Sequence, residues 1–591
     1  MEKIFCGGET KMRKLLLFFL FCLFWLFPVI AHAAGTVLYF SDITNGPKKG
    51  LKDGLGSGAI VTIWGANLGD SQKTSKVYVG GVAAAHVYYW GNADGSAMAG
   101  PAKLYESHGM QTISFSIAST AADGTGNIYV VVDGVQSNTL PFTVRAGNIY
   151  HVKTTGENSS GNGSWRSPWK TLGFIVNESG SNNPAVGAGD IVYAHDGVQE
   201  ADGLSVRMSG NSVMLPISLV AYPGAVVTVR GSSGFGFGNY NADVKYWNVA
   251  KVVFQSTGSA IQMTLRGRVV ANAVTNITNQ CPNGQSAGIH GFGTPRDNIS
   301  GAKVLGNYIH DFGCDSTGKL HHTTYMTNRS GTPVEAWELG WNHLRNNKTV
   351  HGLHAYDEGI CGDVNGVVKI HDNVVVNQRG VGIGLATATF GGADTCFSMP
   401  VEIYNNILIE PGKGPAWPPN DGIWTVGISI TGHGNKSQVK IFNNTIYGYG
   451  DNTVYSQYRA GNAAFYTGKG ATSGRFAGTL EFRNNIIYNT QNFAYLDGDT
   501  GTSIAGSNNL YYYGGNSIPS SPPSWDTAPI ISDPLFVNPS TGDFHLQANS
   551  PAIDKGKDIN GVTRDIAGSA RPSGKGFDIG AYEYIIDNSK K

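Results

Sequence analysis

Between residues 303 and 488 the chain repeats one short pattern of apolar and polar positions six times. Clear copies are Val304-Leu305-Gly306-Asn307-Tyr308-Ile309, Val368-Lys369-Ile370-His371-Asp372-Asn373-Val374, Val401-Glu402-Ile403-Tyr404-Asn405-Asn406-Ile407, Val439-Lys440-Ile441-Phe442-Asn443-Asn444-Thr445-Ile446 and Leu480-Glu481-Phe482-Arg483-Asn484-Asn485-Ile486. A weaker copy runs from Trp337 to Leu344. Apolar residues alternating with period two predict strands. An Asn recurring at one place predicts a tight bend, because Asn tolerates left-handed backbone angles and bonds its own backbone. Strands that return with a constant corner predict a coiled, stacked sheet.

The same spacing aligns a second strand in each coil. Its members are Gly288-Ile289-His290, Thr323-Thr324-Tyr325, Gly352-Leu353-His354, Gly382-Ile383-Gly384, Gly427-Ile428-Ser429 and Ala464-Phe465-Tyr466. Strict alternation points the middle residue inward and both neighbours outward. It therefore predicts an outer column containing His290, Tyr325 and His354, about 4.8 Å apart per coil, beside a groove of small residues suited to an extended polymer.

Ahead of these coils, residues 36–145 carry shorter alternating strands at 59–64, 77–79, 112–117 and 128–132, separated by Gly-rich turns. They contain Val61-Thr62-Ile63-Trp64-Gly65-Ala66-Asn67-Leu68-Gly69, then Val79-Gly80-Gly81, then Val132-Asp133-Gly134-Val135-Gln136-Ser137-Asn138 and Phe142-Thr143-Val144. The segment resembles the IPT/TIG immunoglobulin-like family, which implies a spacer or binding module. From Ile149 onward, Ser167-Pro168-Trp169-Lys170-Thr171-Leu172 and Gly189-Asp190-Ile191-Val192-Tyr193 resemble the opening coil of bacterial secreted right-handed parallel β-helix proteins of the pectin-lyase-like type, with a short capping helix. Asp533-Pro534-Leu535-Phe536, Ser550-Pro551-Ala552-Ile553-Asp554-Lys555-Gly556 and Asp578-Ile579-Gly580-Ala581-Tyr582-Glu583-Tyr584 resemble the C-terminal segment of such proteins, which implies that it closes the last coil and that Asp554 and Asp578 are turn residues. The expected fold class is all-β: a leader over 1–33, an immunoglobulin-like β-sandwich over 34–146, and a right-handed parallel β-helix over 147–591 with its closing segment from about 530.

Composition narrows the setting. The chain has 591 residues, 81 of them Gly, and only 14% are charged, as in extracellular all-β proteins. A solenoid accommodates such a length because it grows in one dimension. Lys11, Arg13 and Lys14, the apolar run Leu15–Ile30 and Ala31-His32-Ala33 read as a cleaved export signal, so the protein is expected to be secreted or on the cell surface, with no membrane span in the mature chain. Removing the leader takes four basic and two acidic side chains from 42 of each, leaving a net charge of −2. That argues against nucleic acid as a partner. Four cysteines remain, Cys281, Cys314, Cys361 and Cys396. Their number in an exported chain suggests disulfides. The separations 281 to 314 and 361 to 396 are close to one repeat, so each pair could staple adjacent coils; three pairings stay open. No CxxC or Cys/His spacing supports a zinc site. A monomer is expected.

The candidate chemistry is concentrated in one stretch. Eight of fifteen histidines fall between 290 and 371: His290, His310, His321, His322, His343, His351, His354 and His371. His371, in the corner phrase, and His310-Asp311, after a corner, read as structural. Arg329, Asp357, Glu358 and Arg379 follow the outer-column strand. Cleavage of an acidic glycan by β-elimination needs a cation for the uronate carboxylate, a base and an acid. Arg329 or Arg379 fits the first role, His354 or His290 the second and Tyr325 the third, with His321, His322, Asp357 and Glu358 lining the substrate. The resemblance implies the same class: a carbohydrate-active lyase on a polysaccharide, with a glycan-binding adhesin and a glycoside hydrolase as alternatives. Gly432-His433-Gly434 resembles a motif of the polygalacturonase-like hydrolases, but that family's paired aspartates and Arg-Ile-Lys motif are missing. No cofactor is marked beyond calcium, for which Asn420-Asp421-Gly422 and Asp497-Gly498-Asp499 offer oxygen ligands.

Overall fold

The computed structural model describes residues 35–585 except 177–185, 237–243, 277, 280, 282–285, 292–298, 317, 319, 329–332, 358–363, 388–398, 413–425, 432–436, 449–462, 469–477, 489–492, 498–502 and 514–521. Arg329, Glu358, Cys361, Cys396, the leader, Gly432-His433-Gly434 and most of both calcium candidates lie outside the described residues, as do the side chains of Asp357 and Asp497. Among the described residues no helix is long and apolar enough to cross a membrane.

Residues 149–531 form a parallel β-helix. Its first face is a sheet of 12 parallel strands, from Ile149–Val152 to Ile504–Ser507. A second face of short strands follows the corner, among them Tyr308–His310, His343–Arg345, Val374–Val376 and Ile407–Ile409. The third face holds Ser286–Gly291, His321–Asn328, His351–Asp357, Val381–Thr387, Ile428–Thr431 and Ala463–Gly468. The second and third faces belong to one 20-stranded sheet, because Val253–Gln262 runs through the corner and pairs with both. One continuous apolar core fills the solenoid from Val152 to Tyr513. At the N-terminal end a short helix, Leu172–Val176, buries Leu172, Ile175 and Val176 in that core.

The repeated phrase builds the corner between the first two faces, by two residues rather than one. The left-handed residue is the one before the shared Asn: Gly306, Trp341, Asp372, Asn405, Asn443 and Asn484 all have φ between 51° and 62°. The shared Asn is buried and forms a ladder through Asn272, Asn307, Asn342, Asn373, Asn406, Asn444, Asn485 and Asn509. In each step a backbone N–H and a side-chain Nδ2 donate to the next Oδ1 at 2.9–3.1 Å. Each Nδ2 also donates to a carbonyl of the preceding coil, as Asn406 does to Ile370 at 2.9 Å. Asp526 ends the ladder by accepting from Asn509 at 2.8 Å. The Asn is thus kept for bonding between coils, and the bend belongs to its neighbour.

Residues 37–144 form a β-sandwich, one sheet ordered Val37–Ser41, Ile60–Ala66, Gln111–Ser116, His86–Asn92 and a second built around Gly124–Val132. Gly80-Gly81 and Asp133-Gly134 make its two-residue hairpins with both φ positive, the turn whose twist suits paired strands. The sandwich is not a tethered bead. Its core runs on into the outer side of the first face through Tyr193, Val220, Ala250, Val270 and Leu305. A buried Lys251–Asp42 pair (3.5 Å) and Tyr193 Oη donating to Ile60 O (2.9 Å) cross the junction.

The C-terminal segment departs from the expected end cap. It lies along the side of the solenoid, where Phe536, Phe544, Ile566 and Ile579 cover Val374, Ile407, Ile486 and Leu510 of the second face. The outward left-handed asparagines hold it: Asn405, Asn443, Asn484 and Asn508 donate to the carbonyls of Arg564, Asp578, Lys557 and Lys555 at 2.7–3.0 Å. Among the described residues Asp554 and Asp578 accept from backbone N–H groups of this segment, those of Lys575, Gly576, Asp554 and Tyr584. Where the sandwich docks instead, the same corner position is Gly306 or Trp341. A Cβ on Gly306 would lie 2.4 Å from the Phe40 ring, and Trp341 packs on Tyr39 and Phe40 at 5.5 and 5.3 Å.

Candidate functional site

The six triplets of the third face stand in one register. His290 pairs with Tyr325, His354 with Gly384, Gly384 with Ser429 and Ser429 with Tyr466. The pairings His322 with His351 and Met326 with Ala355 set the same offset between the Tyr325 and His354 coils. The middle residues Ile289, Thr324, Leu353, Ile383, Ile428 and Phe465 are buried in the core.

The small residues before them also face inward, against the expectation of an outer groove. A Cβ on Gly352 would meet Gly382 O at 2.6 Å and Leu344 at 3.4 Å, and one on Gly427 would meet Ala464 O at 2.6 Å and Ile446 at 3.0 Å. Thr323 likewise bonds Thr349 in the interior at 2.7 Å. The chain turns into the third face here, the interior is narrow, and alternation breaks: two successive residues point in.

That break brings residues three apart to the same outer side. His322 stacks on Tyr325 (4.7 Å between centroids, 10° between planes) and His351 stacks on His354 (4.0 Å, 8°). The two pairs come from adjacent coils and touch each other, His322 to His351 at 5.1 Å, His322 to His354 at 4.8 Å and Tyr325 to His354 at 5.3 Å. Tyr356 closes the group, 5.3 Å from His354 and 5.8 Å from Tyr325. Room for His351 comes from the next coil, where Gly384 replaces a side chain; a Cβ there would lie 2.4 Å from His351 Cδ2.

The group is mostly buried. His354 is 3% exposed and both its ring nitrogens lack a hydrogen-bond partner among the described residues. His322 Nδ1 lies 3.1 Å from His351 Nδ1. Burial, and then the neighbouring imidazoles, hold His322 and His354 well below the ordinary histidine value; burial alone takes His351 to about 3. The three rings are therefore neutral at physiological pH. Neutral imidazoles can accept a proton or hold a metal ion, and one nitrogen from each of the three rings lies within 4.8 Å of the other two.

The other candidates are placed as follows. His290 is buried beside Tyr325 on the preceding coil, with burial lowering it to about 4. His321 is buried one residue before the cluster. Arg379 is 1% exposed, and its guanidinium donates to the backbone carbonyls of Cys314 and Asp315 at 3.1 and 3.2 Å. It anchors a turn, which corrects its expected place over a substrate carboxylate. Cys281 and Cys314 form a disulfide beside that turn. His310 pairs with Asp311 at 2.8 Å on the surface, and Asp311 is left-handed. His371 lies between Asp372 (2.6 Å) and Glu338 (3.0 Å); burial would lower it, but these two carboxylates raise it to about 9. Sequence reasoning left His351 and Tyr356 without a role. The signal for His351 was its place three residues before His354, matching His322 before Tyr325.

No family model and no curated protein matches the chain. Four chains among solved structures match it. One, described as the complex structure of XylC with xylose, is 11% identical with a TM-score of 0.38, covering 66% of this chain and 87% of that one.

Proposed function

We propose that the protein is an exported, carbohydrate-active protein that cleaves an acidic polysaccharide by β-elimination at the His/Tyr cluster of the third face. The observation that carries this reading is Tyr325 held between imidazoles, His290 on one neighbouring coil and His354 on the next. A phenol beside neutral imidazoles is a proton-donating and proton-accepting pair, which elimination needs on the two sides of the breaking bond. The export signal and the IPT/TIG-like sequence of the sandwich fit a protein working on an extracellular glycan. A hydrolase is less well supported, since it needs two carboxylates flanking the bond and the described cluster is made of His and Tyr.

The test is incubation of the full mature chain with alginate, pectate and glycosaminoglycans while following ultraviolet absorbance for unsaturated ends. Product on one of them, lost in Tyr325→Phe with folding intact, supports the reading. Binding without product overturns it in favour of a glycan-binding protein, and new reducing ends without unsaturation overturn it in favour of a hydrolase.

A further inference from the structure

We infer that His322, His351 and His354 form a binding site for a transition-metal dication of the zinc class. His322 contributes from one coil, and His351 and His354 from the next. The 3.1 Å between His322 Nδ1 and His351 Nδ1 is near the separation of about 3.3 Å for two nitrogens held tetrahedrally on one ion at about 2.0–2.1 Å. His354 is the third donor. Its two nitrogens are buried without a partner among the described residues, a condition native proteins rarely leave unexplained. Its ring lies parallel to that of His351, one of its nitrogens is already within 4.8 Å of a nitrogen of each of the other two, and χ2 is a broad torsion in histidine.

The donor set selects the ion. Three imidazoles suit zinc, copper, nickel or iron, whereas calcium and magnesium require oxygen. Three protein ligands leave a coordination position open, as in sites that bind a substrate or water rather than purely structural ones. Gly384 supports the same reading, because the space of its absent side chain is where His351 sits. On the elimination reading, which this clause alone rests on, the ion supplies the positive charge beside a uronate carboxylate that Arg379, bonded to backbone carbonyls, does not bring, and His290 remains as the proton carrier beside Tyr325.

The experiment is metal titration of the full mature chain after chelator dialysis, without any sugar. Cobalt(II) gives the visible d–d bands of a low-coordinate nitrogen site, and zinc displaces it at one ion per chain. His351→Ala and His354→Ala lose stoichiometric binding, while His545→Ala, on the exposed C-terminal segment, keeps it. Absence of binding in the folded wild-type chain overturns the proposal, as does binding that survives in both cluster variants. If the variants do not fold, X-ray absorption at the zinc edge of the wild-type chain decides: an imidazole shell supports the site and an all-oxygen shell overturns it. Metal bound without unsaturated product removes only the elimination reading. Product formed undiminished after chelation removes only the metal.

Discussion

The asparagine ladder at the first corner and the histidine–tyrosine columns on the third face are both buried, and both arise because a parallel β-helix stacks like upon like. They are opposite in bonding. Asn406 accepts from the backbone N–H and Nδ2 of Asn373 and donates to Ile370 O and Asn444 Oδ1, all within 3.0 Å. Among the described residues His354 makes no hydrogen bond through either ring nitrogen. A buried polar group whose bonds are complete stabilises and specifies a fold; one left incomplete costs stability and keeps its valence for something else. The difference separates scaffold from site within a single repeating architecture.

The largest effect that could break this contrast is at the ladder. Asn406→Ala removes four hydrogen bonds and strands the buried N–H groups of Asn373 and the carbonyl of Ile370. The expected loss is about 3–5 kcal/mol in denaturant unfolding, at the upper end for single substitutions. A loss below about 1 kcal/mol would mean that water or local movement satisfies those groups, and the ladder would lose its role as the scaffold.

A smaller and more diffuse effect is expected from pH, to which an amide ladder is indifferent. His108, His151, His195, His290, His322, His343, His351 and His354 are all held below their ordinary value of 6.5, with burial as the first cause. A histidine that stays neutral when folded but takes a proton when unfolded weakens the fold as pH falls below 6.5, down to about 3 for His351. His371 works at the other edge: raised to about 9, it adds stability that is complete below 6.5 and lost as pH rises through 9. Asp42, Asp565 and Asp578, raised with burial the first cause, the last two to about 6, oppose the acid loss by favouring the fold at low pH. Eight histidines against three carboxylates leave a net fall, so unfolding free energy is expected to peak near pH 6.5–7.5. Equilibrium unfolding from pH 4 to 9 checks this; a flat acid limb would mean that the rings are hydrated.

Much of the scaffold was legible because stacking writes itself into sequence as a period. The corner phrase located the coils, and the six triplets gave the third-face register that places Tyr325 between His290 and His354. Three features were hidden, each by a departure from simple periodicity. The left-handed residue and the ladder Asn are neighbours, and in Asn405-Asn406 the letters are identical while the roles differ. Gly352 and Leu353 both face inward, so strict alternation put the glycine outside and assigned no place to His351. Arg379 shares its coil with the site, but its guanidinium is held by carbonyls 65 and 64 residues away in sequence. Periodicity reports which residues stack; it carries no information about a side chain that leaves its own column.

The smallest expected change is the sharpest test of the contrast. Leu is close to His in volume and needs no hydrogen bonds. His354→Leu therefore removes two unpartnered buried nitrogens and leaves the stack on His351 apolar. At pH 7 and without metal, stability should be unchanged or raised by up to about 1 kcal/mol, and part of the acid limb should flatten because one buried imidazole no longer titrates. Elimination activity and cobalt binding should both be lost in that same variant. A site residue whose removal stabilises the protein while abolishing what it does is the stability–activity trade-off in its simplest form. A cost above about 2 kcal/mol in the metal-free protein would instead place His354 with Asn406 as part of the scaffold, and the search for chemistry would move along the column to His290 and Tyr325.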